Sequence, residues 1–175
     1  MKLLLSMIIC SQVHTTCMPP YPWPETFNNT YDCMTFGYKE SLNKNVLILG
    51  WAFKKNTNDT RESAAIYVTN NLLNKNIEID IYDPKVKQSQ VDFDLSNINA
   101  DYDKSLVNFI EEPFLNVSEY NIIAIMTEWD EFKDYDWEEI YKKTIKPTYI
   151  FDGRNILEIE KIKKIGFNYI GLGRK

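Results

Sequence analysis

The chain has 175 residues, 44% hydrophobic and 26% charged, with a net charge of −5, which suits one folded domain with a modest appendage. Lys and Arg are interspersed with Asp and Glu, so the basic stripe wanted for nucleic-acid binding is missing, while a local pocket for a phosphorylated small molecule stays compatible. Cys10, Cys17, Cys33 and the single histidine, His14, all precede residue 34, which excludes from the rest a disulfide framework, a His/Cys zinc site and Ser-His or Cys-His catalysis.

Met1 and Lys2 followed by the apolar run Leu3 to Cys10 have the outline of a short secretion signal. Ser6 interrupts that run and no Ala-x-Ala-like site follows, so a cytoplasmic location is expected, with secretion as the alternative. The run is far short of the ~20 apolar residues of a membrane span, and no membrane association is expected. Residues 1–44 lack sustained periodicity, and Pro19, Pro20, Pro22 and Pro24 surround Tyr21 and Trp23. Proline at that density removes backbone donors and favours extended conformations, so this zone reads as an irregular N-terminal segment. Cys10, His14 and Cys17 match no common metal-finger spacing, and no metal site is expected.

A domain over residues 45–175 begins where the pattern changes. Val46 to Gly50 is a continuous apolar run ending in glycine, as for a parallel strand buried on both faces. After a polar loop, Ser63 to Leu73 carries Ala64, Ala65, Tyr67, Val68, Leu72 and Leu73 at helical spacing. Ile77 to Tyr82 is the next strand, stopped by Asp83 and Pro84. Residues 86–104, with Asp92, Asp94, Asp101 and Asp103, read as a polar surface excursion. Leu106 to Glu112 reads as a short helix before Pro113. Strands over Ile122 to Met126, Thr148 to Phe151 and Phe167 to Ile170 alternate with helices over Trp137 to Lys143 and Ile159 to Ile165. Alternation of this kind predicts an α/β fold: a doubly wound, mostly parallel sheet with helices on both faces.

Ligands of such sheets bind beyond the carboxyl ends of the strands, where the loops Gly50 to Glu62, Thr127 to Phe132 and Asp152 to Asn155 lie. The first holds Lys54, Lys55 and Arg61 ahead of a helix start, whose unpaired N–H groups favour phosphate. Lys54 adds a point charge and Arg61 a planar fork for anions, with Asp59 or Thr60 as the cap. The other reading is a solvated basic loop, and composition does not separate the two. Gly50 stands alone, outside any G-x-G-x-x-G or Walker pattern. In the third loop Gly153 permits a sharp turn, and Arg154 either points at the same anion or is a surface arginine. Glu128 and Asp130 have acid–base spacing, but capping by the acids and packing by Trp129 account for them more simply.

Taken together, Gly50-Trp-Ala-Phe-Lys-Lys-Asn-Thr-Asn-Asp-Thr-Arg-Glu-Ser63, Tyr82-Asp-Pro-Lys-Val86, Thr127-Glu-Trp-Asp130, Phe151-Asp-Gly-Arg154 and Gly166-Phe167 resemble the C-terminal, UDP-sugar-binding domain of the UDP-glucose 6-dehydrogenase family. This family lies within the wider UDP-glucose/GDP-mannose dehydrogenases, and the paired lysines and the Thr-Glu-Trp-Asp stretch look closer to its eukaryote-type UDP-glucose enzymes. The resemblance runs from about Lys44 to the end and implies a Rossmann-like sheet. By position it implies that Phe53, Lys54 and Arg154 contact a UDP-sugar, with Lys54 near the pyrophosphate, and that Arg61 reaches toward NAD held by another domain. The family oxidises UDP-glucose to UDP-glucuronate in two hydride transfers to NAD through a thiohemiacetal on a cysteine.

Residues 1–44 contain neither the family's glycine-rich NAD fingerprint nor its catalytic cysteine loop, and none of the three cysteines has that glycine-rich context. No catalytic residue is therefore assigned, and this chain alone is expected neither to bind NAD nor to turn over. Three readings stay open. One is a split or truncated dehydrogenase half that needs a chain supplying the NAD-binding half. The others are a non-enzymatic UDP-sugar-binding regulator that associates with a full-length homologue, and a degenerate inactive fragment.

Overall fold

The computed structural model describes residues 3–7, 21–27 and 45–173. Two strands lie in the first part, β1 (Leu3–Met7) and β2 (Tyr21–Phe27). They pair antiparallel with Leu3 opposite Phe27 and Met7 opposite Tyr21. The sequence places no element here because β2 contains Pro22 and Pro24; a two-stranded ribbon accepts proline because both strands are edges. Cys10, His14, Cys17 and Cys33 lie outside the described residues.

From Asn45 six strands form a second sheet: β3 (Asn45–Leu49), β4 (Glu78–Tyr82), β5 (Val107–Phe109), β6 (Tyr120–Ile125), β7 (Tyr149–Asp152) and β8 (Asn168–Gly171). Every neighbouring pair is parallel. The spatial order β5-β4-β3-β6-β7-β8 is that of the doubly wound dinucleotide-binding fold. Val46 to Leu49 and Ile123 to Ile125 are buried, because β3 and β6 occupy the centre and are covered on both faces.

Helices α1 (Ala64–Leu73) and α2 (Gln88–Ile98) follow β3 and β4. The one-turn α3 (Glu131–Asp134) and then α4 (Trp137–Lys143) follow β6, and α5 (Ile159–Ile165) follows β7. Right-handed crossovers that run outward in opposite directions from the β3/β6 pair put α1 and α2 on one face and α4 and α5 on the other. Accordingly α1 packs against α2, and α4 against α5.

Two sequence readings are corrected. Residues 86–104 are not a surface excursion, since Gln88 to Ile98 is helical and buries Val91 and Leu95. Val91, Leu95 and Ile98 recur at helical spacing, but the surrounding aspartates masked the signal. Residues 106–112 do not form a helix; Val107 to Phe109 is the edge strand β5, aligned with Ile79 to Ile81. Three residues are too few to show a period, so only the partner strand could identify it. Among the described residues no helix is long and apolar enough to cross a membrane.

Candidate functional site

The order of strands reverses between β3 and β6, which opens a crevice at their carboxyl ends. The chain leaves β3 at Gly50, whose φ of +96° suits only glycine. A Cβ on Gly50 would collide with the side chain of Thr127 and lie 2.8 Å from its backbone nitrogen, so the loops after β3 and β6 run in contact. The Thr127 hydroxyl donates to the Ala52 carbonyl and ties them.

Asp83, at the end of β4 and only 4% exposed, organises this region. Its Oδ2 accepts from the backbone N–H groups of Trp51 at 2.7 Å and Ala52 at 2.9 Å, and from the Trp129 indole at 3.1 Å. Its Oδ1 accepts from the N–H groups of Lys85 and Val86. A buried carboxylate needs such a complete set of donors, and meeting that need draws three loops onto one point. The fully buried Trp51 donates its indole N–H to Asp94 of α2 at 2.9 Å.

The loop then turns outward. Phe53 is 46% exposed and Lys54 is exposed; the Phe53 N–H is anchored to the Asp59 carbonyl at 2.8 Å. Across the crevice Gly153 makes the turn after β7. Asp152, beneath it, accepts from the Arg154 N–H at 3.1 Å, the Leu157 N–H at 2.9 Å and the Tyr169 hydroxyl at 2.9 Å. Arg154 is thereby aimed across the switch point. Its Nε donates to the Met126 carbonyl at 2.8 Å and its Nη2 to the Phe53 carbonyl at 2.6 Å. Phe53 and Arg154, 101 residues apart, thus meet directly, with Lys54 next in the chain.

Arg61 belongs to a separate group on the same loop. Its side chain is 88% exposed and grips Asp59 at two points, Nε to Oδ1 at 2.9 Å and Nη2 to Oδ2 at 2.7 Å. The Arg61 hydrogen bonds, with smaller help from the Lys54 charge, lower the Asp59 pKa to about 2. Neither Asp59 nor Thr60 caps α1. Ser63 does, accepting from the Ala65 N–H, because a further turn at Thr60 to Ser63 separates the loop from the helix. With Ser63 wholly buried, the exposed positive groups of the loop are the Lys54 and Arg61 side chains.

In the loop from Thr127 to Phe132, Trp129 is buried and packs as expected. Asp130 stands at the N-cap position of α3 but makes no side-chain cap bond. It bridges Lys55 and Lys133, both at 2.8 Å, and these contacts, Lys133 first, hold its pKa at about 2. Glu128 faces the Arg154 Nε at 3.3 Å and accepts from the Lys55 N–H at 3.3 Å. Both acids are held in ion pairs rather than opposed as an acid–base couple. The sequence did not single out Asp83; the legible signal was Asp followed by Pro at a strand end. For Glu128 no local pattern points to Arg154. Among the described residues no cluster of acids, His or Cys is placed to hold a metal ion.

Residues 47–159 match the model of the UDP-glucose/GDP-mannose dehydrogenase family, UDP binding domain. A UDP-glucose 6-dehydrogenase of Drosophila melanogaster is 40% identical over 187 residues, which cover 99% of this chain and 39% of that protein. The Mus musculus UDP-glucose 6-dehydrogenase is 42% identical over 137 residues, covering 75% of this chain and 28% of that one. Among solved structures, a UDP-D-ManNAc dehydrogenase from Pyrococcus horikoshii superposes with a TM-score of 0.58 at 27% identity, over 81% of this chain and 29% of that chain. An NDP-N-acetyl-D-galactosaminuronic acid dehydrogenase from Methanosarcina mazei Go1 has a TM-score of 0.61 at 19% identity, over 90% and 34%, and shows the fold. The chain therefore spans well under half the length of these relatives.

Proposed function

Since the chain belongs to the UDP-glucose/GDP-mannose dehydrogenase family and carries its UDP-binding domain, we propose that it binds a UDP-sugar, UDP-glucose or a close relative, through Phe53, Lys54 and Arg154. The observation that carries this reading is the contact between the Arg154 guanidinium and the Phe53 carbonyl across the switch point. It places a planar cation from β7 beside the loop that bears Lys54. The two bonded N–H groups leave three of the five guanidinium donors for a ligand. Lys54 is a mobile point charge suited to a pyrophosphate, and Phe53 offers an exposed aromatic surface.

The family's enzymes depend on NAD, which serves as hydride acceptor when bound. The residues fit one edge of such a cofactor. Arg61 is exposed, and its two-point pair with Asp59 engages Nε and Nη2 and leaves Nη1 for a contact to phosphates held by another domain. The lone Gly50 does not form a dinucleotide cradle. Substrate binding and one cofactor contact are thus this domain's share, and the oxidation itself needs an NAD-holding half.

Calorimetric titration of the 175-residue chain with UDP-glucose and with NAD tests the reading. Binding of UDP-glucose but not NAD is expected. Lys54→Ala and Arg154→Ala each lose one charge-assisted contact and should weaken binding by roughly tenfold. Unchanged affinity in both variants would refute the assigned site. Mixing the chain with UDP-glucose and NAD should yield no NADH. NADH formed on adding a chain that carries the NAD-holding half would identify a split enzyme, and binding without turnover would favour a UDP-sugar-binding regulator.

A further inference from the structure

Glu128, on the loop after β6, touches both proposed ligand-binding loops. One carboxylate oxygen accepts from the N–H of Lys55, the residue after Lys54, at 3.3 Å, while the other lies 3.3 Å from the Arg154 Nε. Asp130, two residues on, takes the Lys55 ammonium at 2.8 Å, so Lys55 is held at both ends. The Glu128 and Arg154 side chains are 29% and 30% exposed, which shelters their pair from solvent more than a surface contact. Oε2 of Glu128 is buried and makes no hydrogen bond, so the ion pair with Arg154 is its polar contact.

We propose that Glu128 is a positioning residue of the nucleotide-sugar site, a carboxylate clamp that sets the spacing between Lys54 and Arg154 before a diphosphate arrives. The proposal rests on the reading of these two residues as diphosphate contacts. A carboxylate in an anion site has an obvious opposing effect: it repels the ligand and competes for the arginine. Geometry decides between the two. Glu128 approaches Arg154 at Nε, on the edge that already faces the Met126 carbonyl, and leaves both hydrogens of Nη1 unengaged by it. The carboxylate therefore acts at Nε while Nη1 stays open to a ligand. An arginine has many rotamers to lose on binding, and fixing it beforehand lowers that cost. The same carboxylate restrains the backbone beside Lys54, so one group orders both cations.

The test measures the Kd for UDP by calorimetry in the unmutated 175-residue chain, Glu128→Ala, Glu128→Gln, Arg154→Ala and the double variant Glu128→Ala/Arg154→Ala, with thermal unfolding of each. Glu128→Ala should weaken UDP about tenfold. Glu128→Gln keeps an acceptor for the Lys55 N–H but loses the ionic half, so it should fall between. In the Arg154→Ala background, removing Glu128 should weaken binding by only about threefold, because just the restraint beside Lys54 is left to lose. A purely structural role would weaken both backgrounds equally, and that outcome overturns the proposal. Tighter binding by Glu128→Ala also overturns it, since it would mean that the carboxylate competes with the ligand. If the alanine variant fails to fold, Glu128→Gln with and without Arg154→Ala decides by the same comparison. Absence of UDP binding by the unmutated chain removes the proposed function and the clamp together. Binding by the unmutated chain with wild-type affinity in Glu128→Ala and Glu128→Gln removes the clamp alone.

Discussion

Asp59 and Arg61 stand two residues apart, and the loop between Phe53 and Ser63 is bent so that their side chains meet in a two-point ion pair. The bend uses Asn56 and Glu62 at φ of 64° and 59°, a left-handed conformation that asparagine tolerates better than most residues. Asp130 is held similarly between Lys133 and Lys55. The hydrogen bonds from these partners lower both carboxyl groups to about 2, below the ordinary aspartate value. A depressed folded-state pKa means that the contribution is complete above the unfolded value and lost as pH falls through the folded one. Carboxyl-carbon NMR should therefore show both groups still ionised at about pH 4 and protonating near pH 2. Because both pairs are exposed, the loss should loosen the loops without unfolding the domain. That Asp59 would face Arg61 is partly legible from their spacing. That Asp130 would face Lys55, 75 residues earlier, is not.

At the scale of elements, α2 is the informative case. Its polar composition concealed two buried residues, Val91 and Leu95, that belong to the hydrophobic core, while the helix packs against α1. Leu95 is fully buried, so Leu95→Ala should cost about 2–5 kcal/mol, read as a lower urea midpoint with an unchanged slope. If α2 were only a surface excursion the cost would stay below about 0.5 kcal/mol. Helices α4 and α5 have the bounds read from the sequence, and for α5 Gly166 is the stop. Strand β5 was unreadable because three residues at a sheet edge carry no period of their own. The cap of α1 was misplaced because Asp59, Thr60 and Ser63 are all good caps, and only packing, which buries Ser63, selects among them.

Over the whole molecule, the switch point is assembled by Asp83 more than by any residue near a ligand. Its carboxylate collects five N–H donors from the loops after β3, β4 and β6. Asp83→Asn replaces one acceptor oxygen by a donor that faces other donors, and should destabilise the domain by about 2–4 kcal/mol. The same variant should weaken UDP binding although Asp83 lies beneath the proposed site. A lowered unfolding midpoint with unaltered affinity would show that the loops hold their places without it. Residues from Gly50 to Arg154 are brought to one crevice only by the strand order.

By itself the sequence determined the periodic elements, the parallel α/β class and the family, since each is written in residues close together in the chain: buried runs, helical spacing, glycine and proline stops, and five short motifs. Tertiary structure alone decided which charges far apart in the chain meet. Glu128 reaches both Lys55 and Arg154, and Asp83 becomes a hub, because parallel crossovers stack the carboxyl ends of distant strands side by side. Local spacing carries no record of that adjacency. The buried carboxylate's need for donors, and the close approach of Gly50 to Thr127, turn it into a site.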